Sequence, residues 1–447
     1  MSTQLPPWLS ALLTRRMLIC VLTGFASGLP LYLLLNLVPA WLRTEGINLK
    51  TIGLFALIQF PYTWKFAWAP LLDRFALLPG VLRLGRRKSW MLVMQLGLLV
   101  VIATLGQLSP QSLVAPTDAA STLTLLLHPV TLAVGAIALL SATQDIALDA
   151  FRREILHDDE LGLGNSVHVN AYRIAGLVPG SLSLILADHM SWNWVFAITA
   201  LFMLPGAIMS VVVNEPPAAG GSPRTLRAAV VEPFKEFIHR AGWRPALLIL
   251  AFIFLYKLGD SMCTALATPF YLDMGYAKSQ IGLVAKNAGL WPAVIGGLLG
   301  GLWMVRLGIN RALWLFGLVQ IVSILGFAWL AWLGPHTIIG SSQLAALALV
   351  IGVEALGVGL GSAAFVAYIA KNTHPLYTAT QFALFTSLAA VPRTVVNAST
   401  GWLVEQLGWF HFFLLCTALG IPGMLLLLKV APWGEVERKP KTASLSG

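Results

Sequence analysis

SATQDIALDAFRRE, residues 141–154, ends a long apolar segment in a cluster of charges. On a helix, Asp145 and Asp149 are four residues apart and lie on one face, which Arg152 continues. Carboxylates in a segment long enough to cross a bilayer are costly, and they usually face a protein interior or a water-filled cavity. The stretch therefore predicts a membrane helix that carries functional acids near its charged end.

The composition of the chain excludes a soluble protein. It has 447 residues, of which 57% are hydrophobic and 11% are charged, and its mean hydropathy is +0.78. So few charges do not cover the surface of a soluble domain, and the pattern is typical of an all-α membrane protein. We predict twelve membrane spans, at about 17–39, 50–70, 89–108, 129–151, 164–187, 192–213, 245–272, 279–304, 311–333, 342–370, 376–403 and 409–430.

The net charge of +10 is distributed unevenly along the chain. With the N-terminus inside, most Lys and Arg lie in cytoplasmic loops and tails, whereas Arg43, Lys50 and Lys278 lie on the opposite side. This bias predicts a multi-pass protein with both termini in the cytoplasm. The positive charge is therefore a topology signal, and we expect no nucleic-acid partner.

The two halves of the chain resemble each other in an ordered set of short matches. At one constant spacing, Leu29 matches Leu258 and Gly46 matches Gly275. Two parallel sets of six spans are the architecture of the major facilitator superfamily, whose halves rock about a central site and open it alternately to each side. We predict a six-helix bundle at 1–213, a cytoplasmic linker at 214–244, a second six-helix bundle at 245–430 and a cytoplasmic tail at 431–447.

The loop after the second predicted span contains Asp73-Arg74 and, further on, Gly85-Arg86-Arg87. It is similar to the cytoplasmic loop motif of the superfamily, although the insertion between the two parts is longer than usual. In that motif an acid and several bases bond to neighbouring helix ends and hold one conformation. Alternatively, the bases only fix topology. The predicted gating residues are Asp73, Arg74, Arg86, Arg87, Asp149 and Arg152, with Glu154 as a further partner.

Four segments carry a more specific resemblance. They are GFASGLPLYLLL (24–35), KTIGLFALIQFPYTWKFAWAPLLDR (50–74), SATQDIALDAFRREIL (141–156) and KLGDSMCTALATPFYLDMGYAKSQIGL (257–283). Together they resemble the AmpG-type muropeptide permeases. The resemblance implies proton-coupled import of GlcNAc-1,6-anhydroMurNAc compounds across the bacterial inner membrane, for peptidoglycan recycling and, in some bacteria, β-lactamase induction. Because the wider family includes siderophore importers, import of another small molecule on the same scaffold is the alternative.

Three charged residues are predicted to couple transport to protons. Asp145 is the first candidate, and the alternative is a permanent ion pair with Lys65 at similar depth. Arg173 on the fifth span is expected either to pair with Asp145 or to bind a substrate carboxylate. Asp260 shares a helix face with Lys257 near mid-membrane, which favours a cavity wall, although a structural pair is the alternative.

A disaccharide needs aromatic rings to cover its apolar faces and amides to satisfy its hydroxyls, and charged groups suit an anionic peptide. In membrane helices, aromatic residues also serve simple packing, which is the alternative here. The predicted substrate-binding residues are Tyr32, Asn36, Gln59, Trp64, Lys65, Gln144, Asn170, Lys257 and Arg393.

The remaining sequence signals favour a transporter over an enzyme. The eight His are scattered, the three Cys are isolated and no phosphate-binding Gly loop is found, so we expect no metal, cofactor, catalytic set or obligate protein partner. Lys286 and Glu354 are expected to pair within the second half. The glycine pairs 296/300 and 297/301 have small-xxx-small spacing and predict close helix packing within that half.

Overall fold

The computed structural model describes residues 12–47, 60–77, 85–111, 113, 119–216, 226–276, 280–281, 284, 286–335, 339–374, 377–394, 396 and 400–434. These residues form helices joined by turns, and no strand occurs among them. Within these ranges, nine helices are long and apolar enough to cross a membrane. The all-α membrane fold expected from the composition is confirmed.

In the part of the first half that the structure describes, there are six spans and one helix that the sequence does not predict, Ala119–Leu127. Residues 50–59 of the predicted second span lie outside the described residues. Span 1 comprises Arg15–Tyr32, Leu33–Leu37 and Val38–Thr44; span 2, Phe60–Trp64, Lys65–Ala67 and Ala69–Arg74; span 3, Arg86–Leu105; span 4, Pro129–Ile155; span 5, Leu161–Ala175, Val178–Leu182 and Ser183–Ala187; and span 6, Trp192–Leu201 and Leu204–Val212.

The second half follows the linker helix Leu226–Ala241. A straight helix as long as Lys286–Leu333 would measure about 70 Å, more than twice the hydrocarbon thickness of a bilayer. Gly308 divides it with a φ of 75°, a conformation that costs glycine little. Span 7 comprises Trp243–Leu255, Leu258–Ala265 and Ala267–Asp273; spans 8 and 9 lie in Lys286–Leu333; span 10 is Ser341–Lys371; span 11 begins with Thr378–Thr394; and Thr400–Val430 contains span 12.

Spans 2 and 7 are interrupted at lysines, buried Lys65 and half-buried Lys257. Trp64, just before Lys65, has φ −102° and ψ 4°, and Lys257 has φ −101° and ψ 2°, so the α-helix stops at both places. After the second break, Asp260 lies in the first turn of Leu258–Ala265, where the helix dipole favours a negative charge. Broken membrane helices of this kind place charged groups deep in a transporter.

The two glycine pairs of span 8 face different neighbours. A Cβ at Gly296 would lie 2.3 Å from the Leu356 carbonyl oxygen of span 10, in the same half. In contrast, Gly297 faces Asn170 and Gly301 faces Ser166, both on span 5 of the other half. The expectation that both pairs pack within one half is therefore wrong for 297/301. Consecutive residues of a helix point in directions about 100° apart, so adjacent pairs serve different interfaces.

The halves are held together on one side of the molecule, which we call the linker face. It is the side where span 3 begins at Arg86 and span 4 ends at Ile155. There, Arg153 Nε donates to the Ala370 carbonyl oxygen of span 10 at 2.8 Å. Deeper in, Ser166 donates to the Gly297 carbonyl oxygen. The halves are thus closed together from the linker face toward the middle of the membrane.

We predict that Gly301→Ala opens the linker face. A Cβ at Gly301 would lie 2.4 Å from Ser166 Cβ, so spans 5 and 8 must separate. Overpacking of this kind costs about 1–3 kcal/mol. Spin labels at Asp159→Cys and Lys371→Cys, near the linker-face ends of spans 4 and 10, should move apart.

Gly135→Ala is the matched control, because a Cβ at this span 4 residue would meet nothing within 4 Å. The three native cysteines are buried and are poor targets for the label. A label-to-label distance that stays the same in Gly301→Ala as in Gly135→Ala would contradict the role of span 8 as a contact between the halves.

Candidate functional site

The Asp73 carboxylate at the end of span 2 is fully buried and accepts four hydrogen bonds. Arg87 Nη2 donates at 2.7 Å, Ala379 N at 3.3 Å, Thr380 N at 2.9 Å and Thr380 Oγ1 at 2.6 Å. The last three donors belong to the first turn of span 11, whose free N–H groups and dipole favour a carboxylate. Asp73 therefore caps a helix of the opposite half.

Arg87 is the base that holds Asp73 in place. Its guanidinium is fully buried, and it also bonds Glu154 Oε1 at 2.8 Å and the Leu72 carbonyl oxygen at 2.9 Å. A buried charge is tolerated only when its partners are close and well oriented, and this arginine joins spans 2, 3 and 4. Nearby, Arg86 donates to the Asp73 carbonyl oxygen, and Arg74 lies over the Phe75 ring at 5.1 Å.

Glu215 completes this cluster, and the sequence analysis does not predict it. Its carboxylate accepts from the backbone N of Arg87 at 2.9 Å and of Lys88 at 3.1 Å, so it caps span 3. The residue just before the helix, Gly85, has no side chain that could act as a cap. The sequence did contain a signal for this contact: span 3 begins without a capping side chain, and an acid follows directly after span 6.

Asp149 and Arg152 form a charge-neutral stripe on span 4, beside the cluster of Asp73 and Arg87, which we call the latch. Arg152 Nη2 lies 2.9 Å from Asp149 Oδ1, and Lys65 Nζ lies 3.7 Å from Asp149 Oδ2. Arg152 also bonds Asn165 Oδ1 at 2.8 Å and lies over the Phe382 ring of span 11 at 5.6 Å. The buried lysine of span 2 thus pairs with Asp149, whereas the sequence alternative placed it against Asp145.

Asp145 lies deeper in the membrane and has a different environment. It is 8% exposed, and Ser27 Oγ of span 1 donates to its Oδ1 at 2.6 Å. Ten residues separate it from the end of span 4 at Ile155, which is about 15 Å along the helix. Its neighbour Gln144 donates to the Ala26 carbonyl oxygen at 2.7 Å, so this turn is fixed against span 1.

The expected ion pair between Arg173 and Asp145 is not formed in this conformation. Its guanidinium donates to the Ala293 carbonyl oxygen of span 8 at 2.8 Å. The face of span 5 that carries Ser166 and Asn170 packs against span 8, and Arg173 continues this face. The arginine is therefore held at the contact between the halves.

Lys257 and Asp260 lie together, as their spacing on one helix predicts. Lys257 Nζ is 3.6 Å from Asp260 Oδ2 and also bonds Ser362 Oγ of span 10 at 3.1 Å. Their side chains are 15% and 13% exposed. The pair is therefore deeply placed but still accessible, on the opposite half from Asp145.

The predicted aromatic residues lie in two groups in the first half. Tyr32 packs edge-on against Tyr172 at 5.6 Å, and exposed Trp64 stacks with Phe60 at 5.4 Å and with Phe66 at 5.8 Å. Asn36 and Asn170 lie on spans 1 and 5; Gln59 is outside the described residues, and so is the Arg393 side chain.

One further polar contact was missed. Thr23 Oγ1 of span 1 is 3.1 Å from Nδ1 of buried His168 of span 5. In the sequence the eight His look scattered, because a contact between helices that are far apart in the chain produces no recognisable spacing. Among the described residues, no group of three or more His, Cys, Asp or Glu is placed to hold a metal.

Comparison with known proteins identifies clear relatives. Residues 20–397 match the Major Facilitator Superfamily. The chain is 39% identical over 415 residues to the anhydromuropeptide permease of Escherichia coli, covering 92% of this chain and 79% of that protein. It is 47% identical over 432 residues to an uncharacterized protein of Haemophilus influenzae, covering 96% and 98%. The human organic anion transporter MFSD10 has the same fold, with a TM-score of 0.66 at 14% identity and coverage of 95% and 100%.

We predict that Asp73→Asn weakens closure of the linker face. The amide removes the negative charge between Arg87 and span 11 and turns an N–H₂ group toward donors. Removing one partner of a buried ion pair costs about 3–5 kcal/mol. The distance between labels at residues 159 and 371 should lengthen, and the thermal midpoint should fall.

Asp158→Asn is the control, because the Asp158 side chain is 67% exposed in its pair with Arg153. An exposed pair contributes about 0–1 kcal/mol, so this variant should match the wild type. If Asp73→Asn behaves like Asp158→Asn in both measurements, the capping contact does not hold the halves together.

Proposed function

Because this chain belongs to the AmpG-type permeases of the major facilitator superfamily, we propose that it imports anhydro-muropeptides from the periplasm into the cytoplasm with protons. The chain is thus a multi-pass membrane transporter and not an enzyme, as the sequence predicts. The identity of 39% over nearly the whole chain is the observation that carries the substrate class. Its cellular role would be the supply of wall fragments for recycling.

The proposed orientation places the linker face in the cytoplasm of a bacterial inner membrane. The bias of Lys and Arg toward this face supports the orientation. In that case the conformation described above is closed to the cytoplasm by Asp73, Arg87 and span 11. It is the state that receives substrate from the periplasm, and import requires this latch to open.

Asp145 is the proposed proton carrier. As a carboxylate it only accepts, and it takes the Ser27 hydroxyl hydrogen bond. Protonation removes the charge and adds a donor, which weakens the hydrogen bond from Ser27 and changes the contact between spans 1 and 4. A membrane potential contributes about 2.3 kcal/mol per elementary charge for every ~100 mV, which would drive the loaded protein inward. Arg173 and Asp260 are proposed to assist coupling at the facing half.

Substrate is proposed to bind between the halves. Two buried amide oxygens, Gln144 Oε1 and Asn170 Oδ1, have no hydrogen-bond partner among the described residues and suit sugar hydroxyls or peptide N–H groups. Tyr32 and Trp64 offer rings for apolar sugar faces, and Lys257 suits a peptide carboxylate. Asn36, Gln59, Lys65 and Arg393 remain predicted substrate residues. We infer no cofactor and no obligate protein partner.

Uptake of labelled GlcNAc-anhydroMurNAc-tripeptide into proteoliposomes tests this function. We expect accumulation under an inward proton gradient and competition by unlabelled anhydro-muropeptide. If the folded protein takes up none of this substrate, either with or without a gradient, the proposed substrate class is wrong. That result would direct the same assay to siderophores or another small molecule.

We predict that Asp145→Asn abolishes accumulation but retains exchange. The amide has the size of the carboxyl group and stays neutral, so it cannot release a proton in each cycle. Gradient-driven uptake should fall to the level without a gradient, whereas exchange of internal for external substrate should persist. Asp159→Asn, at an exposed residue, is the control. Full gradient-driven uptake by Asp145→Asn would exclude this residue as the proton carrier.

A further inference from the structure

Gln320 of span 9 is a buried amide with no role in the site described above. Its residue is 3% exposed, and neither Oε1 nor Nε2 has a hydrogen-bond partner among the described residues. A buried polar group without a partner destabilises a protein, whereas an apolar side chain of the same shape would fill the space without that cost. Packing alone therefore does not account for an amide at this position.

Gly361 of span 10 leaves the space that the Gln320 amide occupies. A Cβ at Gly361 would lie 2.4 Å from Gln320 Oε1 and 3.9 Å from Lys257 Nζ. These neighbours are the ends of side chains, whereas a Cβ at Gly296 of the same half would meet a backbone carbonyl oxygen. Glycine inside a helix is less favourable than alanine. The missing side chain of Gly361 therefore makes room for two polar groups.

Gly357, one turn before Gly361, brings spans 9 and 10 close together. A Cβ at Gly357 would lie 3.3 Å from Gln320 Cα. The backbone of Gln320 is thus held against span 10, and its side chain extends along that helix to the level of Gly361. There it faces Lys257 of span 7.

Glu354 is an acid on this part of span 10, three residues before Gly357. It is buried, and its Oε1 has no hydrogen-bond partner among the residues that the structure describes. The side chain of Lys286, its expected partner, lies outside the described residues, so that pair stays a prediction. The further acceptor whose position beside Lys257 the structure gives is therefore Gln320.

The ammonium group of Lys257 has three N–H donors. Ser362 Oγ lies 3.1 Å from Nζ, and Asp260 Oδ2 lies 3.6 Å from it, which is longer than a hydrogen bond. Gln320 Oε1 and Lys257 Nζ both lie within 4 Å of one point beside Gly361. An acceptor without a partner and an ammonium group thus face the same space, and a small side-chain movement joins them.

We propose that Gln320 is a positioning residue for Lys257, and that its Oε1 accepts a hydrogen bond from the ammonium group when Lys257 turns away from Asp260. Asp260 cancels the charge of the lysine and repels a substrate carboxylate. A neutral amide holds the ammonium group without cancelling its charge, which stays available to the carboxylate. The effect on substrate rests on the proposed function, whereas the contact between Gln320 and Lys257 does not.

Uptake of labelled GlcNAc-anhydroMurNAc-tripeptide by Gln320→Met in proteoliposomes tests the positioning role. Methionine keeps the length of the side chain but lacks the amide oxygen. KM should rise about tenfold, the size expected for one hydrogen bond to a charged group, and kcat should stay the same. Gly361→Ala should give the same result, because its Cβ displaces the Gln320 amide.

Gln95→Met is the matched control, because Gln95 is a buried glutamine of span 3 whose Oε1 accepts from Ser210 Oγ at 2.7 Å. It should lower the thermal midpoint and leave KM unchanged. Gln320→Met should not lower the midpoint, since it replaces an amide that has no partner. An unchanged KM in both Gln320→Met and Gly361→Ala would overturn the proposal. If one of these two variants does not fold, the other decides.

A double-variant cycle shows whether Gln320 acts through the lysine. Lys257→Met should raise KM, and addition of Gln320→Met should raise it no further, because the positioned group is already absent. If Gln320→Met raises KM by the same factor with and without Lys257, the amide acts by another route and the proposal is wrong.

Labelling of Lys257 by an amine-reactive reagent tests the contact without substrate. The full-length protein is labelled in detergent and analysed by peptide mass spectrometry, with exposed Lys235 as the internal reference. In Gln320→Met, Lys257 should react several times faster than in the wild type, because a side chain without this partner moves more freely. In Gln95→Met its rate should not change.

The two proposals fail in different ways. If the labelling rate responds to Gln320→Met but the wild type takes up no anhydro-muropeptide, the contact stands and the proposed function falls. If the wild type takes up substrate but neither KM nor the labelling rate responds to Gln320→Met, the function stands and Gln320 is excluded.

Discussion

The contact on which this conformation depends is the Asp73 carboxylate buried against the start of span 11. It satisfies two N–H groups of that helix and is charge-balanced by Arg87. Because Arg87 is itself buried and also bonded to Glu154, neither acid can leave without exposing an unpaired charge. Closure of one face of the membrane therefore follows from the need to keep a few charges paired inside a helical protein with little polar surface.

The two halves keep their deep acids in contrasting surroundings. In the first half, Asp145 takes a serine hydrogen bond, and the basic side chains bind Asp149 instead. In the second half, Asp260 has a lysine at 3.6 Å, and its Oδ1 has no hydrogen-bond partner among the described residues. The helix repeat thus supplies the scaffold twice, whereas the charged side chains have diverged. The two halves therefore present different arrangements of charge around their deep acids.

The sequence predicted what is local and missed what is distant. Hydropathy and charge gave the spans, and helical spacing brought Lys257 and Asp260 together because both lie within one turn. The loop motif named Asp73 and Arg87 as candidate gating residues, and the structure joins them in a buried ion pair. Ser27 and Thr380 were missed, because packing of helices far apart in sequence decides which hydroxyl faces an acid. The prediction for the glycine pair 297/301 was wrong for a similar reason, since spacing predicts close approach but not the partner.

The linker is bonded to both halves at the face where they meet. At its start Glu215 caps span 3, and in its helix Glu236 accepts from Gln381 of span 11 at 2.7 Å, while Phe237 packs on Phe385. The linker therefore connects the two bundles and also holds them together at this face. In the proposed transport cycle, opening of this face must stretch the linker or detach one of its ends, so the length of the linker would limit how far the halves separate. A protein or lipid that bound the linker helix would therefore slow turnover without contacting the transport path.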